Sequence, residues 1–349
     1  MTHHETSDWP QGKTFPLNGT TVSLSAPVLV ARSKGYLWFP SLARLANGDL
    51  FATMSNYADV HTTNSTSFNA FSSDGGRTWG ELMAAPYGEV NLRLPSGDEL
   101  FLPYYMYPAE GGMKAPYKLV EQGTRAIKVM QEGVLVGGWP RPDRSMDAVH
   151  GMCGFVFNGQ TVPLKSGGFL ATLYGYFEDD KRMSLVAAES PDGVQWQILS
   201  IIAGPECALE GEEGPCEAAV CRLKDGRLMC VFRLASNVPF GQSFSSDEGR
   251  TWSTAVAIHN AFSVQPSLAV MPDGMVVLSG GRPGLYLWFN AAGDGKDWER
   301  VEFLSHHNEY CLSDRIEAPD NTSAYTEIVA LDEKNLICIY DRVPRGTRS

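Results

Sequence analysis

Short apolar runs broken by a tight turn recur along the whole chain. Trp38-Phe39-Pro40-Ser41-Leu42-Ala43 and Leu50-Phe51-Ala52 flank Asn47-Gly48, a dipeptide that favours a two-residue hairpin turn. The same arrangement returns with Val220-Cys221-Arg222-Leu223 and Leu228-Met229-Cys230-Val231-Phe232 around Asp225-Gly226. It returns again with Leu268-Ala269-Val270 and Met275-Val276-Val277-Leu278 around Asp273-Gly274. Ile328-Val329-Ala330-Leu331 and Leu336-Ile337-Cys338-Ile339-Tyr340 flank Glu333-Lys334-Asn335. Leu92-Arg93-Leu94 and Glu99-Leu100-Phe101-Leu102 flank Ser96-Gly97-Asp98, and residues 155–173 fit more loosely around Lys165-Ser166-Gly167-Gly168. Runs of this length bounded by turn residues read as strands. Six such hairpins, and no long amphipathic helix, predict an all-β fold, a six-bladed β-propeller.

A second repeat marks the same units. Ser72-Ser73-Asp74-Gly75-Gly76-Arg77-Thr78-Trp79 reappears as Ser245-Ser246-Asp247-Glu248-Gly249-Arg250-Thr251-Trp252. Asp accepts hydrogen bonds from backbone N–H groups of a tight turn, Gly takes a conformation other residues resist, and Trp packs a large ring beneath it. Ser190-Pro191-Asp192-Gly193-Val194-Gln195-Trp196 is a shortened copy, and the stretch from Asn290 to Trp298 a more degenerate one. A period of roughly 50 residues built from short strands again points to a propeller. Residues 21–31, with Val22, Leu24 and Val28-Leu29-Val30, read as a strand that could close the ring by pairing with the C-terminal end. Residues 1–20 then form a loose N-terminal arm, and 21–349 a single propeller domain.

Composition narrows the function classes. The chain has 349 residues and a formal charge of −12. It contains no Lys/Arg run, which argues against nucleic acid and acidic membrane as partners. A few arginines can still form a local positive pocket for an anionic sugar. The cysteines number seven and show no metal-binding spacing; Cys216, Cys221, Cys230 and Cys338 lie in or beside apolar runs and read as core residues. No metal and no cofactor is expected. With no apolar signal core at the N-terminus and no long apolar span, the chain is expected to be soluble. It would be cytoplasmic as it stands, or secreted or periplasmic if a leader has been removed.

Candidate chemistry lies where hairpin strands begin and end. Glu217 leads into the apolar run Ala218-Ala219-Val220, a local inconsistency of the kind found at functional sites. Arg233 ends the following strand, so both can face one mouth; the plainer alternative is a structural ion pair. Arg282, in Ser279-Gly280-Gly281-Arg282-Pro283-Gly284, combines glycines that permit close approach with a planar fork suited to a carboxylate; otherwise it is a solvated turn residue. Tyr325 precedes the last hairpin. A tyrosine becomes a nucleophile when a carboxylate takes its proton, and Glu217 is the candidate; on its own Tyr325 would be a core aromatic. Asp147 and His150, before Gly151 and near Arg141 and Arg144, could contact a ligand or be structural. Glu210, Glu212 and Glu213 form an acidic loop beside Glu217 that reads as solvated, though Glu213 could line the rim. His3-His4 and His306-His307 are adjacent pairs that make poor metal sites.

The repeated Ser-x-Asp-x-Gly-x-Thr-Trp unit resembles the Asp-box of sialidases. The order Glu217, Arg233, Arg282, Tyr325 resembles the catalytic layout of that superfamily, from about Tyr36 to Arg342. The resemblance implies a six-bladed propeller and a retaining exo-glycosidase that releases a terminal, acidic sugar from a glycan. Tyr325 and Glu217 would be the nucleophile pair, with Arg233 and Arg282 on the substrate's carboxylate. Tyr340-Asp341 stands where the family has Tyr-Glu. Asp59 falls near the family's general acid, with His61 as a competitor. Where the family begins with Arg-Ile-Pro this chain has Trp38-Phe39-Pro40, so an aromatic suited to a sugar's apolar face replaces the first arginine. Two readings compete: a polysaccharide lyase or rhamnosidase-like enzyme acting on uronate-containing glycans, with His150 or a Tyr as base in the lyase, and a non-catalytic glycan-binding propeller.

Overall fold

The structure is a computed structural model that describes residues 11–57, 66–139, 154–318 and 322–342. It is built almost entirely of antiparallel strands. Trp38–Arg44, Leu50–Ser55, Thr66–Ser72 and Met83–Pro86 form the first four-stranded sheet. Cys216–Arg222, Leu228–Arg233, Phe240–Ser245 and Val256–Ile258 form another, and Ser267–Val270, Val276–Gly280, Tyr286–Asn290 and Glu299–Glu302 a third. Between the first and second of these, two four-strand units and two short side strands merge into a single ten-stranded sheet. The merger runs through a parallel pairing of Ile127–Gly137 with Gln195–Ala203, which nothing in the strand pattern announces. Thr326–Ala330 and Leu336–Tyr340 complete the series as a two-stranded sheet.

Each of the six turn-centred hairpins expected from the apolar pattern is present as an antiparallel pair. Hydrophobic clusters then join each unit to the next. Phe51 and Phe71 meet Phe101 and Val120, and Val136 and Phe157 share a cluster with Trp196. Leu170 and Leu185 meet Cys230 and Phe232, and Val231 and Phe240 meet Leu278 and Trp288. Val277 and Leu287 meet Ile328, and Ile339 packs on Leu42, Leu50 and Ala52 of the first sheet. The sequence of contacts thus returns to its start, with apolar burial as the force that holds neighbouring sheets together.

The ends of the chain depart from expectation. Residues 11–17, read as part of a loose arm, form the strand Gln11–Leu17, which pairs with Thr20–Ser25 across Asn18-Gly19. The boundary drawn after residue 20 falls inside this hairpin. Among the described residues, neither of its strands pairs with the C-terminal hairpin; Phe15, Leu17, Val22 and Leu24 instead pack beside Phe303 and Tyr340. A short helix, Leu304–Tyr310, buries His306 and His307. His307 bonds Tyr340 Oη at 2.9 Å and the Asp314 carbonyl at 2.8 Å, and His306 bonds the Ser25 carbonyl at 2.8 Å. Both are core histidines: His307 is bonded at both ring nitrogens, whereas His306 is bonded at Nε2 alone.

The Asp-containing turns are nearly superimposable in their bonding. In both full copies the Ser oxygen accepts the Gly N–H at 2.8 Å, and the Asp carboxylate accepts the Thr N–H at 2.9 Å and its hydroxyl at 2.6 Å. The indole N–H of Trp79, Trp196, Trp252 and Trp298 each donates to the carbonyl of the glycine three residues earlier, at 2.8–3.2 Å. Trp196 is fully buried, so Trp196→Ala should cost about 3–5 kcal/mol of stability through cavity formation and the lost ring. Urea unfolding measures this directly. A loss below about 1 kcal/mol would mean that the turn holds without its ring.

Candidate active site

Glu217 sits at an irregularity in its strand. Cys216 pairs with Arg233 and Ala218 with Phe232, so Glu217 is the extra residue of a bulge, a device that re-aims a side chain. Its carboxylate is buried and bound on both oxygens. Oε1 accepts the Tyr325 hydroxyl at 2.8 Å, and Oε2 accepts Arg233 Nη1 at 2.7 Å and the Gln265 N–H at 3.0 Å. Burial pushes the Glu217 carboxyl up, but the Arg233 charge and the bonds from Arg233 and Tyr325, with Arg282 nearby, outweigh it and hold the group below its ordinary value. Glu217 is therefore ionised with the Tyr325 hydroxyl donating to it, the arrangement needed to accept a phenolic proton.

Backbone shape brings the other partners in. Ala324 has φ +47°, a region that non-glycine residues seldom occupy, and it turns Tyr325 toward Glu217. At Gly281 a Cβ would lie 1.4 Å from the Ala324 carbonyl oxygen; only glycine lets these two loops nest. The nesting places the Arg282 guanidinium over the Tyr325 ring, 5.8 Å from its centre, with Nη1 donating to the Ser323 carbonyl at 3.3 Å. Phe39, also at φ +47°, meets Tyr325 edge-on at 4.6 Å between ring centres. Such strained residues cluster at functional sites.

Asp341 secures this corner. It accepts the Phe39 N–H at 2.9 Å and the Ser323 hydroxyl, while its own N–H donates to the Tyr325 carbonyl at 3.1 Å. Burial raises its carboxyl to about 6.

Glu217, Arg233, Arg282 and Tyr325, far apart in the chain, thus converge. Trp38 does not join them. It is fully buried and stacks beneath Phe39 at 4.5 Å, so the aromatic that meets Tyr325 is Phe39. Asp59, His61, Asp147 and His150 lie outside the described residues. Cys216, Cys221 and Cys230 are buried free thiols. No cluster of three metal-ligating side chains occurs among the described residues.

Two further carboxyls, those of Glu89 and Glu327, are as buried as that of Glu217. Glu89 accepts the Tyr87 hydroxyl at 2.6 Å and amide N–H groups of Asn158 and Gln265; burial, with the Glu217 charge adding, raises it to about 7. Glu327 accepts the Ser267 hydroxyl at 2.7 Å, and burial raises it to about 8. Sequence reasoning misses both. Glu89 in Gly88-Glu89-Val90 carries the same signal as Glu217, a lone carboxylate entering an apolar run.

Residues 139–334 match the family described as a BNR repeat-like domain. No curated protein matches the chain. Among solved structures, a protein of unknown function from Dyadobacter fermentans DSM 18053 is 17% identical with a TM-score of 0.65, over 91% of this chain and 94% of that one. The NanB sialidase of Streptococcus pneumoniae, as its K499G mutant, is 15% identical with a TM-score of 0.60, over 92% and 68%. The α-L-arabinofuranosidase arb93a of Fusarium graminearum, in complex with an iminosugar inhibitor, is 15% identical with a TM-score of 0.59, over 90% and 91%. At these identities the likeness is one of fold.

The buried carboxyls make stability depend on pH. The Glu327 carboxyl has a raised pKa in the folded chain, so the stability linked to it is complete below its unfolded value of 4.5 and is lost as pH rises through about 8. Glu327→Gln keeps an oxygen for Ser267 and cannot ionise. Denaturant midpoints of wild type should therefore fall between about pH 5 and pH 8 by more than those of the variant. Equal falls would contradict the assignment.

Proposed function

The chain belongs to the BNR repeat-like domain family, and on that footing we propose that it is a retaining exo-glycosidase, a six-bladed propeller that releases a terminal sugar from a glycan. The cycle of packing clusters, from the first sheet back to itself, supports the six-bladed reading. The observation that carries the chemistry is the 2.8 Å hydrogen bond from the Tyr325 hydroxyl to an ionised Glu217.

In this reading Tyr325 Oη attacks the anomeric carbon as its proton passes to Glu217 Oε1, and a glycosyl-tyrosine forms. Asp59 protonates the departing oxygen and then activates the water that releases the sugar, so two inversions give net retention. A tyrosine nucleophile is the known exception to the paired carboxylates of most glycosidases. Arg282 bonds the sugar's polar groups and Phe39 meets its apolar face, with Trp38 as the support beneath. Asp147 and His150 are proposed as further substrate contacts. Arg233 is already held by carboxylates, which bears on the charge of the sugar. No step calls for a cofactor, nucleic acid or membrane; among the described residues no helix is long and apolar enough to cross one. A binding-only propeller would have no use for an ionised carboxylate set against a tyrosine hydroxyl.

Glu217→Gln should lower turnover by roughly 10²–10⁴-fold on a cleavable aryl glycoside. Tyr325→Phe, which keeps the ring, should lose at least as much, and the double variant should be little worse because the two act as a unit. Wild-type turnover by a folded Tyr325→Phe would sink the proposal. The lyase reading centred on His150 would then lead, and an unsaturated, ultraviolet-absorbing product would identify it.

A further inference from the structure

Arg233 has less to offer a substrate than its position suggests. Nη1 donates to Glu217 at 2.7 Å, and Nη2 donates to Glu213 at 2.7 Å and to the Ser236 hydroxyl at 3.2 Å. The two carboxylates differ in depth. The Glu217 side chain is 11% exposed and that of Glu213 30%, so Glu213 covers the solvent side of the guanidinium. That is the side from which a ligand would come.

Glu213 is held there by a prepared loop. The Arg182 guanidinium donates to four alternate carbonyl groups, of Pro205, Cys207, Leu209 and Gly211, at 2.9–3.2 Å. The Glu213 carbonyl accepts the Met183 N–H at 2.9 Å. Gly214 follows at φ +82°, and a Cβ there would stand 2.7 Å from the same nitrogen. Nothing in the proposed chemistry requires this loop, yet it is built to present one carboxylate to one arginine.

We infer that Glu213 closes Arg233 to a substrate carboxylate, and that the sugar taken by this site is neutral. The inference rests on the glycosidase reading and sharpens it. Arg233 and Arg282 together carry two positive charges, and Glu213 and Glu217 two negative ones, so the group is balanced before a substrate arrives. An anionic sugar would have to displace Glu213 and sit beside Glu217, both like charges. A neutral pentose or deoxyhexose needs neither step. Its hydroxyls can accept from Arg282, and its C–H face can lie on Phe39. The expectation of an acidic sugar counts two open arginines; the structure leaves Arg282.

Methyl thioglycosides, which resist hydrolysis, allow binding to be read by saturation-transfer NMR without turnover. The wild-type protein should bind a neutral thioglycoside, such as that of arabinose or rhamnose, better than those of glucuronic acid or N-acetylneuraminic acid. Glu213→Gln should improve anionic binding relative to neutral on the order of tenfold, about one charge-assisted contact. Arg182→Gln, which loosens the loop, should shift the preference the same way by less. Tighter binding of either anionic thioglycoside by wild type, or an unchanged preference in folded Glu213→Gln, would overturn the inference and leave hydrolysis untouched. A neutral preference without cleavage of any aryl glycoside would uphold it and count against the hydrolase reading alone. Binding of none of these sugars would overturn both.

Discussion

Removing a carboxylate from water disfavours its charged form, and at Glu217 that cost is offset by three partners from distant parts of the chain. Arg233 comes across the hairpin, the Gln265 N–H from the loop entering the next sheet, and the Tyr325 hydroxyl from the loop before the last. Arg233 shares a sheet with Glu217, but the Gln265 N–H and the Tyr325 hydroxyl reach it only through the packing of neighbouring sheets. Breaking a buried charge pair by removing one partner typically costs about 3–5 kcal/mol. The site is therefore also a fastening between sheets, and the bulge at Glu217 and the close approach at Gly281 are local means to the same end.

The same interaction explains why the central carboxyls behave differently. Glu89, Glu327 and Asp341 are as buried as Glu217, but their bonds come from hydroxyls and amides, and burial raises each of them. Glu217 alone of the four touches a guanidinium, and it is held down. A charged partner, more than depth, decides which carboxyl is ready to take a proton at neutral pH. Selection of one base among several buried acids narrows the chemistry to the place where Tyr325 stands.

Much of this architecture is legible in the order of residues alone. Hairpins are readable because apolar run, turn and apolar run is local information, and the turn residues carry their conformations with them. Glu217 and Tyr325 are readable because each interrupts or borders an apolar strand. The parallel joining of Ile127–Gly137 to Gln195–Ala203 is not, since long-range pairing leaves no mark on either strand. Phe39 is hidden behind Trp38: which of two adjacent aromatics faces the site depends on a positive φ at one of them, in a residue type that rarely shows it. The role of Glu213 is obscured by its acidic neighbours Glu210 and Glu212, and only the loop built on Arg182 distinguishes it.

The central claim is that Tyr325, with its proton passing to Glu217, forms the covalent bond to the sugar. A fluorinated glycosyl fluoride of a sugar that the protein cleaves slows breakdown of such an intermediate, and peptide mass spectrometry can then locate the added sugar. The account predicts a single glycosyl adduct on the peptide that contains Tyr325, absent from Tyr325→Phe. An adduct on the peptide that contains Glu217 would contradict it, and would make the tyrosine a hydrogen-bond donor to a carboxylate nucleophile.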